Sequence, residues 1–141
     1  MNKKKLIVGI SIFGIIVFGV LMNRANSGIQ EDYFNDPKVG DIYVFDNLLR
    51  NEGYIGQNLF KIQKVSEEFV YFYKPNTKWP LKSNLDPDII RKSRTLDEQG
   101  EMYLDEVVKL SKIELTELKN SNSFSHRTKN PNGSRLVKIY R

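Results

Sequence analysis

The sequence predicts a small mainly-β (α+β) domain carried behind an N-terminal transmembrane helix. Three observations predict it. Leu6 to Met22 is an uncharged apolar run, with nothing more polar than Ser11, at the short end of the roughly 17 to 25 residues a bilayer-crossing helix needs. From residue 41 onward, short runs rich in aromatic and β-branched residues alternate with Gly, Pro and Asn, the punctuation of strands and turns. Ser111 to Lys119 is the one stretch of the domain with well-marked helix signals.

The apolar run sets the topology. Lys3, Lys4 and Lys5 stand directly before it, and behind it Arg24 is followed by Glu31, Asp32 and Asp36. Basic residues stay on the cytoplasmic side, so the N-terminus is expected inside and the remaining chain outside. The alternative is a cleaved secretory signal, with Ala25 and Ser27 as the small residues before a cut after Ser27. An apolar region longer than the usual 7 to 15 residues, with Arg24 in the approach, favours an uncleaved anchor. A buried core helix would need covering on every side, which so small a protein can hardly supply. Gly9, Gly14 and Gly19 recur every five residues and so form no single seam for helix pairing. The expected organisation is thus 1–5 as a cytoplasmic basic end, 6–22 as a single-pass anchor in the lipid bilayer, 23–40 as a polar tether and 41–141 as an extracytoplasmic domain. Frequent Lys, Asn and Ile associate the chain with an AT-rich bacterial genome, and hence with the inner (cytoplasmic) membrane.

Composition narrows the function. The chain has 22 basic and 17 acidic residues, a net charge of +5. Without Lys3 to Lys5 the exported part is only about +2, too near neutral to attract nucleic acid. It has no cysteine, which excludes a lipid-bearing Cys and any disulfide, so the domain must hold itself together by its core.

Within 23–40, Gly28, Pro37 and Gly40 break regular structure, and Tyr33 and Phe34 suit either the lipid interface or the surface of the domain. The first strand is expected at Ile42 to Phe45. It is apolar on both faces and so covered on both. Asn47 to Asn58 reads as a long loop. Leu59 to Val65 and Phe69 to Tyr73 read as a hairpin around Ser66-Glu67-Glu68, with Lys61 and Lys64 on opposite faces by simple alternation. Lys74 to Thr95 reads as irregular because of Pro75, Pro80 and Pro87. Asp86-Pro87-Asp88 is expected to start one short turn of helix, with Ile89 and Ile90 plugging the core. Asp97 to Gly100 reads as a turn and Glu101 to Leu110 as a strand, bulged or kinked near Asp105.

Ser111 has Glu114 three residues on, the spacing of a capping box, and Leu110 and Leu115 have the spacing of a hydrophobic staple. Ile113 and Leu118 complete the expected apolar side, and Asn120 can end the helix. Ser123 to Thr128 reads as extended, and Asn130-Pro131-Asn132-Gly133 is a turn signal. Arg135 to Arg141 closes the chain as a strand, with Val137 and Ile139 on one face and Leu136 and Tyr140 on the other. Five to six antiparallel strands with one short helix before the last resembles the element order of SH3-like small barrels. A twisted open antiparallel sheet is the alternative.

Catalytic signals are sparse, and no catalytic residue, metal ligand or cofactor is assigned. His126 is the single histidine, which rules out a multi-histidine metal site. No Gly-x-Ser-x-Gly elbow supports a nucleophilic serine. Asp97, Glu98, Glu101, Asp105 and Glu106 form a carboxylate cluster. It is read as a solvated acidic edge, with acid–base chemistry on glycans as the rival. Asp86 and Asp88 lack the spacing of a calcium loop. Phe69-Val70-Tyr71-Phe72 matches the tail of an RNA-binding strand motif, but Glu67 and Glu68 stand where the basic residue and glycine belong.

Two features suggest a surface for a protein partner. Aromatic residues concentrate at Tyr71, Phe72, Tyr73 and Trp79, with Lys74 and Lys78 beside them, and aromatics with neighbouring cations are common interface anchors. The C-terminal stretch holds Lys119, Arg127, Lys129, Arg135, Lys138 and Arg141 and no acid. The expected contact residues are Tyr71, Tyr73, Lys74, Lys78, Trp79, Arg127, Lys129, Arg135 and Lys138. The reading that follows is a non-enzymatic, membrane-anchored binding domain outside the cytoplasm. Its first expected role is that of an immunity protein against a toxin of the bacterial envelope. The alternatives are a subunit of a secretion or division machine, or a glycan-active enzyme using the acidic cluster.

Overall fold

A computed structural model describes residues 31–76, 87–121 and 133–141 of the chain. Residues 31–36 belong to an N-terminal unit distinct from 37–141. Residues 31–35 are helical, and the Asp36 amide donates to the Asp32 carbonyl at 3.0 Å. The apolar run Leu6 to Met22 lies outside the described residues. Among those described, no helix is long and apolar enough to cross a membrane.

The second unit is a small mainly-β domain. Its strands are β1 (Ile42–Asp46), β2 (Gln57–Val65), β3 (Phe69–Pro75), β4 (Tyr103–Ser111) and β5 (Arg135–Tyr140). Helix α1 (Pro87–Glu98) joins β3 to β4, and α2 (Lys112–Asn120) follows β4 directly. The strands form one antiparallel sheet in the order β4-β3-β2-β1-β5. β1 is thus an interior strand between β2 and β5, with Val44 and Phe45 both fully buried although they point to opposite faces. Its double coverage was legible in its uninterrupted apolar sequence.

On one face, Ile42, Val44 and Leu59 pack with Ile90 and Met102, against Ile89, Leu96, Tyr103, Val137 and Tyr140. On the other, the rings of Tyr43, Phe45, Phe60 and Phe72 meet edge-on or tilted at centroid distances of 5.3 to 6.0 Å. Such ring pairs add about 0.5 to 1.5 kcal/mol each beyond their buried area. The 47–56 loop supplies a fifth ring: Tyr54 is buried against Phe60. A 3-10 turn at Arg50–Glu52 shapes that loop, and Asn47 closes it at φ 52°. The Asn47 side chain accepts from the Gly56 amide at 2.8 Å.

Four expectations are corrected. The irregular reading fails over residues 87–95: α1 runs twelve residues, Pro87–Glu98, and takes in Asp97 and Glu98, where a turn was expected; residues 77–86 lie outside the described residues. Its apolar stripe passes through Ser93, which is buried and donates from Oγ to the Ile90 carbonyl at 2.8 Å. A polar residue at the centre of the stripe hides the 3.6-residue period. Ile89 and Ile90 do reach the core as expected. Second, Lys61 and Lys64 lie on the same face. Lys61 pairs with Tyr73 and Lys64 with Tyr71, so Gln63 is an extra residue in β2 that resets the alternation. Third, Leu136 and Ile139 share a face, because Val44 pairs with Lys138 and Phe45 with Leu136, leaving Val137 as the bulge. Fourth, Ile113 is not on the inner side of α2 but 74% exposed; Leu115 and Leu118 are buried.

Two local signals act as expected. Ser111 Oγ accepts from the Glu114 amide at 3.1 Å, and Glu114 Oε2 accepts from the Ser111 amide at 2.7 Å, a complete capping box. β4 is irregular around Asp105, since Tyr73 pairs with Val107 but Pro75 with Tyr103.

Candidate interaction surface

β3 places alternate residues on opposite faces. Val70 and Phe72 are fully buried, whereas Phe69, Tyr71 and Tyr73 are half-buried on the other side. The neighbouring strands bring lysines to this second face. Lys64 of β2 and Lys109 of β4 both pair with Tyr71 of β3. Lys109 Nζ lies 3.6 Å from the Phe69 ring centroid and 6.0 Å from that of Tyr71, and Lys64 Nζ lies 5.6 Å from Tyr71. Val107, opposite Tyr73, is 36% exposed at the edge. The result is a row of ammonium, phenol and ammonium across three strands, with Phe69 and Tyr73 above and below. Neither Lys64 nor Lys109 makes an ion pair among the described residues. Their positive charge is held over aromatic faces, which attract cations through the ring quadrupole.

Of the residues expected at a contact surface, Tyr71 and Tyr73 stand together here. Lys74 does not join them. It points to the opposite face, where Glu52 and Glu106 take its ammonium at 2.6 and 3.1 Å. The hydrogen bond from Lys74 to Glu52 is the main reason its pKa is held above the usual lysine range. Arg135 is paired with Asp46 at 3.2 Å, and Lys138 lies over the Tyr140 ring at 4.9 Å. Both are on β5, three strand spacings from β3, roughly 14 Å at the usual interstrand distance. The two features expected from the sequence thus stand apart, the aromatic one on β3 and the described part of the basic one on β5. Lys78, Trp79, Arg127 and Lys129 lie outside the described residues, as do His126, Asp86 and the Ser123 to Thr128 segment.

Lys64, Phe69, Val107 and Lys109 were missed. Phe69 was within reach, since it precedes Tyr71 by two in an expected strand. Lys64 required the Gln63 bulge, and Val107 and Lys109 required the β3–β4 register. Neither is visible in a single strand.

The carboxylates of the acidic stretch are dispersed. Asp97, on α1, holds Lys61, and Glu106, on β4, holds Lys74. Among the described residues, no group of three or more His, Asp or Glu side chains could hold a metal ion. Burial, aided by the nearby Asp97 charge, pushes the Tyr103 phenol well above its ordinary range. Tyr43 is raised in the same way, by burial first and then Asp41, with Arg141 opposing. Both therefore stay neutral over the physiological range. No family model, curated protein or solved structure matches the chain.

Proposed function

We propose that this chain is a non-enzymatic protein-binding domain. It grips a partner through the face formed by Lys64, Phe69, Tyr71, Tyr73 and Lys109, and Leu6 to Met22 tethers it to the bacterial inner membrane with the domain outside. The single observation behind the binding reading is the ladder of half-buried aromatics overlaid by two lysines that have no acidic partner among the described residues. Rigid aromatic rings lose little entropy on binding, and cations at their edges select acidic partners. The tether follows from the charge step across the apolar run. It would raise the domain's effective concentration for partners at the same membrane. The four-strand meander, the short helix α2 and the closing strand β5 beside β1 support an SH3-like small barrel as the finer fold. The role we favour for such a module is neutralising a toxin of the bacterial envelope.

The test is affinity capture with the full-length chain extracted in mild detergent, comparing wild type with single variants. A genuine partner is lost by at least tenfold with Tyr71→Ala and with Lys109→Glu and retained with Lys138→Glu, all three remaining folded by circular dichroism. Retention by both Tyr71→Ala and Lys109→Glu rejects the face. A C-terminal reporter that is active only in the cytoplasm rejects the topology.

A further inference from the structure

The geometry points to β4 as the strand at which a second copy of this chain adds, antiparallel and centred on Val107, so that one sheet runs through both copies. β4 is an edge strand. Residues 104–110 make no backbone hydrogen bond other than those of the β3–β4 ladder among the described residues. Leu104, Asp105 and Glu106 lie at the irregularity of the β3–β4 ladder, with Tyr103 and Val107 paired to β3 on either side of it. An edge of this kind is a template for another strand unless charge or cover blocks it. Asp105, Glu106 and Lys109 are charges of the sort that protect an edge, so the question is which strand they admit.

They admit this one. Two copies related by a twofold axis normal to the sheet keep each face continuous, and each residue meets one on its own face. With Val107 opposite Val107, Lys109 meets Asp105 of the other copy twice, and Leu104 meets Leu110 twice. Opposite charges directly across an antiparallel pair are favourable. The next registers that preserve the faces fail. Centring on Val108 sets Glu106 against Leu110 and Val107 against Lys109. Centring on Glu106 sets two carboxylates together. The partly exposed Val107 would be covered by its counterpart. The other edge offers no such match: β5 carries Arg135 and Lys138 without an acid, and α2 packs against it. Pairing at β4 also places the two aromatic faces side by side, with Lys109 of each copy taken up by Asp105 of the other and Lys64 of each left as the cation facing an outside partner.

The chain has no cysteine, which gives a clean background for cross-linking. A residue directly opposite itself has its β-carbons about 4.5 to 5.5 Å from their counterparts, within a small adjustment of disulfide distance. In the full-length chain in mild detergent, Val107→Cys is expected to give a disulfide-linked dimer under mild oxidation. Ile55→Cys, at an exposed position of the 47–56 loop, is expected to give none. Adding Lys109→Asp to Val107→Cys should reduce the cross-link at least fivefold, and adding Asp105→Lys as well should restore it. The wild-type chain should sediment as a dimer. A monomeric wild type overturns the proposal, and so does cross-linking through Ile55→Cys equal to that through Val107→Cys. A charge swap that fails to restore the cross-link in a folded protein overturns the register.

Discussion

Arg141 closes on Asp41. Its Nε and Nη2 donate to the two carboxylate oxygens at 3.0 and 2.8 Å, and Asp41 also accepts from the Lys38 amide at 2.9 Å. Asp41 is only 2% exposed, so the carboxylate enters the fold already satisfied. The pair ties the start of β1 to the end of β5. Arg94 of α1 donates to the Arg141 carbonyl at 3.0 Å and adds the helix to the same junction.

Only the carboxylate of this pair is buried; Arg141 is exposed, so its removal leaves a buried charge that keeps the Lys38 amide but loses its charged partner. Arg141→Ala is expected to destabilise the domain by about 1 to 2 kcal/mol, since solvent at the exposed arginine screens part of the interaction. The double variant Arg141→Ala/Asp41→Asn should recover part of that loss. Urea denaturation midpoints decide it: a double variant less stable than Arg141→Ala would show that the carboxylate does not depend on Arg141.

The Tyr103 hydroxyl is buried and has no hydrogen-bond partner among the described residues. An unsatisfied buried hydroxyl carries a desolvation penalty of about 1 to 3 kcal/mol. Tyr103→Phe keeps the ring packed against the Ile42, Val44 and Leu59 cluster and removes that penalty. It should raise stability at neutral pH by about 1 kcal/mol, read from thermal or urea unfolding. A loss of similar size would show that the hydroxyl has a partner.

The same residue predicts the alkaline limb of stability. The folded-state pKa values of Tyr103 and Tyr43 are raised above the ordinary value of about 10. Above that pH the unfolded chain sheds these protons while the fold retains them. Stability is therefore unaffected by them below about pH 10 and falls as the pH rises toward the folded values. Unfolding free energies measured between pH 8 and 11 should decline less steeply in Tyr103→Phe than in the wild type. Parallel curves would refute the assignment.

Ser111 ends β4 and caps α2 with no intervening loop. Ser111→Ala leaves the Glu114 amide without its acceptor and should cost about 1 kcal/mol, while Ser111→Gly should cost only a few tenths. The ranking of the two midpoints tests it, since a simple propensity effect would make Gly the worse residue.

Phe45 touches three other rings and is fully buried on the interior strand β1. Phe45→Ala should cost about 3 to 5 kcal/mol, the range for truncating a buried phenylalanine. Tyr71→Ala, at a half-buried position, should cost well under half as much. Equal losses would place Tyr71 in the core and remove it from the proposed surface.

Local signals in the chain foretold local structure. The capping box at Ser111, the hairpin around Glu67 and Glu68, the doubly buried β1 and the irregularity near Asp105 all depend on residues a few positions apart. Tyr71 and Tyr73 were legible as surface candidates for the same reason. The failures share a cause. α1 was hidden by Ser93, whose burial is tolerable only because its hydroxyl reaches the Ile90 carbonyl. Lys74 looked like a free cation because Glu52 and Glu106 are distant in sequence.

The sequence alone determined that the domain is small, mainly β, free of disulfides and built on a strand buried from both sides. Those properties follow from composition and from the two-residue period of side chains along a strand. Tertiary structure decided which residues share a face. Gln63 and Val137 each insert one residue against a partner strand, and one residue is enough to send every later side chain to the other side. Strand pairing joins residues far apart in the chain, so the row of Lys64, Tyr71 and Lys109 exists only once three strands have met.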